Sequence, residues 1–199
     1  MDRRTVIKNL ALVIGGAALL PSCLHETGKA SIALKKINVS ADQEKFLADV
    51  AETIIPKTTT PGAKDLSLHL FVLKMVDDCF SKNDQDAFMS GLDKLKADAE
   101  TRFGKSFGEA SQAQRESLLN ELEKKQAENQ KAQGKNAKKP ADADDRLTFY
   151  GITKGETIYG YTNSKYFMTK EIVYELVPGR YNPDYPAKNF KATLKHGLS

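Results

Sequence analysis

The sequence predicts an all-α protein: a small helical domain with an aromatic, proline-punctuated arm at its carboxyl end. Three observations lead there. From Phe46 to Leu122 apolar residues recur at spacings of three and four, the signature of helices buried on one side. Ser40 stands three residues before Gln43, and Ser111 three before Gln114, the pattern of a capping box. Proline and glycine end the apolar stripes.

The first predicted helix is capped by Ser40 and runs roughly fifteen residues, its stripe made by Phe46, Leu47, Val50, Ala51, Ile54 and Ile55. Pro56 ends it. The next stretch, Pro56 to Asp65, is a turn in which Pro61 suits the second position and Gly62 can take the positive φ of the third. Asp65 is placed to cap a second helix from Leu66, with Leu68, Phe71, Val72, Met75, Val76, Cys79 and Phe80 on its apolar face. A third helix, from about Asp84 to Lys105, carries Phe88, Leu92, Leu95, Ala99 and Phe103. A fourth opens at Ser111 and buries Leu118, Leu119 and Leu122.

From Glu123 to Arg146 no residue is more apolar than alanine, so residues 123–146 read as a polar insertion: a solvated helical extension that Gly134 and Pro140 turn into a linker. No heptad is apolar there, which excludes a coiled coil. The block from Leu147 onward is rich in aromatics, from Phe149 to Tyr185. Val177-Pro-Gly-Arg-Tyr181 and Asn182-Pro-Asp-Tyr-Pro186 cannot form long helices. Tyrosines on such an arm suit a contact surface, because their rings bury large area at low entropic cost; intramolecular packing is the equal alternative.

Ahead of the domain, Arg3 and Arg4 precede Thr5, the apolar pair Val6 and Ile7, and Lys8, a run that resembles a twin-arginine export signal. Leu10 to Leu20 is an apolar or glycine run of eleven residues. A bilayer span needs about 20, so a signal h-region fits better. The run closes on Leu20-Pro21-Ser22-Cys23, similar to a lipobox, in which Cys23 would be acylated and become the first residue; Pro21 departs from that pattern. An ordinary secretory leader and a structural Cys23 are the plainer readings. Residues 1–22 are thus expected to be a signal peptide, 23–39 a tether, and 40–199 the folded domain. The expected location is the periplasm or cell envelope, with membrane attachment through the lipid and no crossing.

The net charge of +4 falls to +2 without residues 1–22, which hold three cations and one anion, so nothing here tracks a phosphate backbone and nucleic acid is excluded as a partner. With Cys23 acylated, Cys79 is expected to be a buried free thiol; a Cys23–Cys79 bridge competes with that reading. Neither makes a C-x-x-C pair or a haem attachment motif.

Nothing in the chain assembles a catalytic, cofactor-binding or metal constellation. Gly104-Lys105-Ser106 lacks the P-loop glycine five residues earlier, where Ala99 stands, and has no preceding strand. There is no G-x-G-x-x-G or G-x-S-x-G. His25, His69 and His196 lie far apart; His69 with Asp65 is at best a weak metal half-site, and adjacent Asp77 and Asp78 face different directions.

Two stretches carry a family resemblance. Glu52-Thr-Ile-Ile-Pro56 through Pro61-Gly-Ala-Lys-Asp65, with Leu68 to Phe71 and Asp77 to Phe80, resembles the opening of the gluconate 2-dehydrogenase subunit 3 family. Tyr159-Gly-Tyr-Thr-Asn-Ser164 and Tyr174 to Tyr181 are similar to its carboxyl-terminal pattern. The resemblance implies a non-catalytic small subunit of a membrane-associated dehydrogenase. Its large partner would be of the glucose-methanol-choline (GMC) type, holding FAD and oxidising a sugar or sugar acid, with a cytochrome c or another acceptor taking the electrons. The small subunit would carry the twin-arginine leader and escort the flavin-loaded partner. The candidate interface is Pro61, Gly62, Tyr159, Tyr161, Pro178, Gly179 and Tyr181. The alternative is an independent lipid-anchored helical scaffold or binding protein of the envelope.

Overall fold

The computed structural model describes residues 28–133 and 144–172. The leader with Arg3, Arg4 and Lys8, the lipobox Cys23, and the Pro178-Gly179-Tyr181 stretch lie outside the described residues. Those described form helices α1 (Ala41–Ile54), α2 (Leu68–Cys79), α3 (Lys82–Phe103), α4 (Gln112–Gln133) and α5 (Asp145–Thr162), with a 3-10 turn at Phe107–Glu109 and a π-helical turn at Phe167–Glu171. No strand occurs among them; one isolated antiparallel bridge joins Lys29 and Ser40. The fold is all-α, as predicted.

Serine caps set the starts of α1, α3 and α4, at Ser40 and Ser111 as predicted. At α1 the Gln43 amide donates to Ser40 Oγ at 3.2 Å while the Ser40 amide donates to Gln43 Oε1 at 2.9 Å, which satisfies two of the free donors of the first turn. The same reciprocal pair joins Ser111 and Gln114 at α4. Ser81 caps α3 through the Asp84 amide, and Gly104 ends it at φ 65°, a left-handed position that glycine takes without steric cost. Gly104 is therefore a helix stop.

Four aromatic rings tie the bundle together. Phe46 of α1 packs on Phe107 (centroids 5.5 Å apart) and on Phe149 of α5 (6.1 Å), and Phe149 meets Phe88 of α3 at 5.0 Å. Phe88, Phe107 and Phe149 are fully buried, together with Leu47, Leu73, Leu92 and Leu95. Helix α5 lies so close to α3 that a Cβ on Gly91 would stand 2.1 Å from the Asp145 carbonyl oxygen and 2.8 Å from Phe149 Cβ. Only glycine permits that approach.

Several expectations are corrected. Residues 30–39, read as a tether, belong to the folded body: Ile37 and Val39 are buried, and Ala30, Ile32 and Leu34 pack on the core. The buried face of α2 runs through Leu68, Val72, Leu73, Val76 and Asp77. Cys79 therefore points away from it and is an exposed free thiol. Helix α2 starts at Leu68 with Ser67 at its cap in the left-handed region (φ 52°), and Asp65 is not its cap.

The aromatic block from Leu147 begins as the 18-residue helix α5, which buries Phe149 and Tyr150. The polar stretch after Leu122 continues α4 to Gln133. Its Glu123 is not fully solvated: it accepts from Tyr150 Oη (2.8 Å) and Lys154 Nζ (2.7 Å) of α5.

Candidate functional site

The sequence-predicted interface residues that are described come together at one corner of the bundle. It is built from the carboxyl ends of α1 and α5, the start of α2, and the turn of residues 55–67.

The turn is held by two carboxylates. Glu52, in the last turn of α1, accepts the Lys57 amide at Oε1 (2.9 Å) and the Lys64 amide at Oε2 (2.8 Å), so one side chain ties both flanks of the loop. Asp65 accepts the Gly62 amide (3.2 Å) and pairs with Lys57 Nζ (3.1 Å). These two hydrogen bonds hold the Asp65 carboxyl below its ordinary range. The Ala63 amide donates to the Ile55 carbonyl at 2.9 Å, closing the loop.

Gly62 is needed here, but not for a positive φ. Its backbone is not left-handed; instead a Cβ would meet Glu52 Oε1 at 2.5 Å and the Lys57 nitrogen at 2.6 Å. Beneath the turn, buried Asp49 pairs with Lys64, and the absence of a side chain on Gly108 leaves room for the Asp49 carboxylate.

The end of α5 docks on this turn. Tyr161 packs against the Ala51, Ala63 and Leu68 cluster beside Ile55 and Leu66. Gly160 lets α5 settle on α2, since a Cβ there would stand 2.8 Å from Phe71. Tyr159 stacks on Phe71 with centroids 6.2 Å apart, yet it stays 55% exposed, and Ile158 beside it is 42% exposed. Tyr161 also meets Phe167 (5.7 Å) of the π-helical turn and Tyr166 (6.5 Å) just before it. The hydrogen bond to Glu171 pushes the Tyr166 phenol up to about 12. The corner is thus a rigid frame presenting an aliphatic and an aromatic side chain to solvent. Such a pair suits a protein contact, because a ring already held by stacking loses little freedom when it is covered.

The Asp65 and His69 pair does not form a metal half-site. Asp65 is committed to Gly62 and Lys57, while His69 Nε2 faces Glu44 at 3.8 Å. Burial lowers the His69 pKa despite that carboxylate. No group of three or more His, Cys, Asp or Glu side chains fit to hold a metal occurs among the described residues. A cavity of about 220 Å³ opens beside the 3-10 turn, lined by Asp42, Lys45, Asp49, Lys96 and Glu100 among others. Its charges are of both signs, and Asp49 is already paired with Lys64.

Three residues of the corner were not anticipated in their roles. Phe71 reads in the sequence as one more apolar position, and Ile158 as nothing in particular. Glu52 carries no local signal, since its partners are amides five and twelve residues away.

The segments that frame this corner, residues 52–71 and 159–164, are among those that carry the resemblance noted above; residues 77–80 lie at the far end of α2, and residues 174–181 outside the described residues. A family model described as gluconate 2-dehydrogenase subunit 3 matches residues 41–179. The chain belongs to that family. Its helical body from α1 through the π-helical turn lies within the match, so the corner is part of the region that the family model covers. No curated protein and no solved structure gives a match.

Proposed function

We propose that this subunit 3 protein is the non-catalytic small subunit of an FAD-dependent sugar or sugar-acid dehydrogenase complex. Its large partner is a GMC-type flavoprotein that passes electrons to an acceptor such as a cytochrome c. The small subunit carries the partner through the twin-arginine route on the Arg3-Arg4 leader and, through acylated Cys23, holds it at the membrane of the cell envelope. Substrate oxidation belongs to the partner, and the small subunit supplies export, maturation and attachment.

The observation that carries this reading is that two of the family-like stretches, residues 52–71 and 159–164, meet at one corner, where Tyr159 stacks on Phe71 and stays 55% exposed. A leader suited to folded cargo then has a cause: the cargo is the flavin-loaded partner docked on that corner.

The test is purification of the tagged chain from membranes, followed by an absorption spectrum. Flavin bands from a co-purifying polypeptide are expected, and deletion of this subunit is expected to leave that flavoprotein in the cytoplasm. Active flavoprotein at the envelope in the deletion strain would refute the escort role. A purified chain that brings no flavoprotein would favour the independent scaffold.

A further inference from the structure

The segment between the lipobox and α1 is long enough to be a loose leash, but the structure uses most of it as a strap bound to the body. Ala41 donates its amide to the Gly28 carbonyl (3.1 Å) and Ala30 donates to Val39 (2.9 Å), so the strap closes on itself at the start of α1. Glu44 accepts both the Ser31 amide and the Ser31 hydroxyl at 2.6 Å. Asp77, fully buried on α2, accepts three successive amides: Lys35 (2.9 Å), Lys36 (2.6 Å) and Ile37 (3.1 Å). Ile37 and Val39 are 8% and 2% exposed, so apolar burial and the carboxylate act together.

This bears on the reach of the anchor. From Cys23 to Gly28 there are five Cα-to-Cα steps, which span at most roughly 16–18 Å when fully extended. Were the chain free as far as Ser40, the seventeen steps would span about 60 Å. The strap therefore removes some two thirds of the reach.

We propose that the strap pole of the molecule, formed by residues 28–39 with the start of α1 and the end of α2, is held against the lipid bilayer surface by this short leash. The proposal rests on the reading of Cys23 as acylated. Its partner is the headgroup layer, and Lys35, Lys36 and Lys82 are exposed at this pole beside Asp78 and Asp86, so the approach is set by the leash and not by net charge. The consequence for assembly is geometric. The turn of residues 55–67 lies at the other end of α1, whose 14 residues span about 21 Å, while Glu44 links Ser31 of the strap to His69 at the start of α2, so a partner docked on the Tyr159 corner meets a body whose orientation to the membrane is set by the strap.

The exposed Cys79 thiol, two residues beyond Asp77, provides a reporter, because acylation blocks Cys23. The full chain, acylated and reconstituted in liposomes, would be labelled at Cys79, and energy transfer to acceptor-labelled headgroups measured. High transfer is expected. It should fall when a Gly/Ser insertion of about twenty residues, with an r.m.s. span of roughly 25 Å, is placed between Thr27 and Gly28, ahead of the strap. It should fall also in Asp77→Ala, in which trypsin should cut after Lys35 and Lys36 faster than in the parent.

Equal transfer in the acylated parent and the insertion variant would overturn the proposal. Equal cleavage in the parent and Asp77→Ala would show that Asp77 does not hold the strap. The mass of the amino-terminal peptide reads the premise separately: a Cys23 without acyl chains removes the anchor itself, whatever the state of the strap.

Discussion

The two ends of α1 are both finished by irregular chain, and in each irregular segment one acidic side chain gathers several backbone amides. At the carboxyl end Glu52 gathers the amides of Lys57 and Lys64 around a turn. At the amino end Asp77, from a different helix, gathers three amides of the strap. The difference lies in burial and distance. Glu52 is partly solvated and acts on its own neighbourhood, whereas Asp77 is fully buried and reaches about forty residues back along the chain. The turn is a local device that shapes a surface. The strap is a tertiary device that shortens a connection.

The largest expected effect is at Asp77. Asp77→Ala would leave three amides without their acceptor and should cost about 3 kcal/mol in denaturant unfolding. Gly62→Ala comes next, because its Cβ would be driven into Glu52 and the Lys57 backbone; about 2 kcal/mol is expected, with the turn and the Tyr161 contact disturbed together. Glu52→Ala removes two hydrogen bonds from a partly exposed loop and should cost about 1 kcal/mol. Tyr159→Ala should change stability by less than about 0.5 kcal/mol, since the ring is more than half exposed. On the proposed docking it should nevertheless weaken partner affinity roughly tenfold or more.

Acid should act on the strap through Asp77. Burial raises its pKa, but the three amides and Lys74 outweigh burial and bring it below the ordinary value of 3.8. A carboxylate with a depressed folded pKa contributes stability that is complete above the unfolded value and is lost as pH falls through the folded one. The strap should therefore stay closed at neutral pH and open only below about pH 4, as read by trypsin-independent probes such as hydrogen exchange at Ile37. His69 works in a higher window. Its folded pKa is lowered by burial, so the unfolded state takes up the proton first and stability should decline as pH falls below about 6.5. His69→Gln should remove that decline.

The helices α1, α3 and α4 were legible because their signals are local: an apolar stripe in each, and a serine capping box at α1 and α4. The strap was not, since its apolar residues are sparse and its acceptor lies on α2. Helix α5 was obscured for another reason. Its buried face includes Thr153, Thr157 and Gly160 as well as Phe149 and Tyr150, so polar and small residues interrupt the apolar period. At the corner, the sequence singled out Pro61, Gly62, Tyr159 and Tyr161, and the structure brings Tyr161 onto the turn that holds Pro61 and Gly62. It could not supply Phe71 as the platform for Tyr159, because ring stacking between α2 and α5 depends on how the two helices cross.

The most direct test of the account is flavin co-purification with tagged parent and Tyr159→Ala chains, compared after both are shown to unfold at the same denaturant concentration. The account predicts that the parent brings a flavoprotein from the membrane in stoichiometric amount and that Tyr159→Ala, equally stable, brings markedly less. Equal flavin yields from the two chains, or none from the parent, would contradict it.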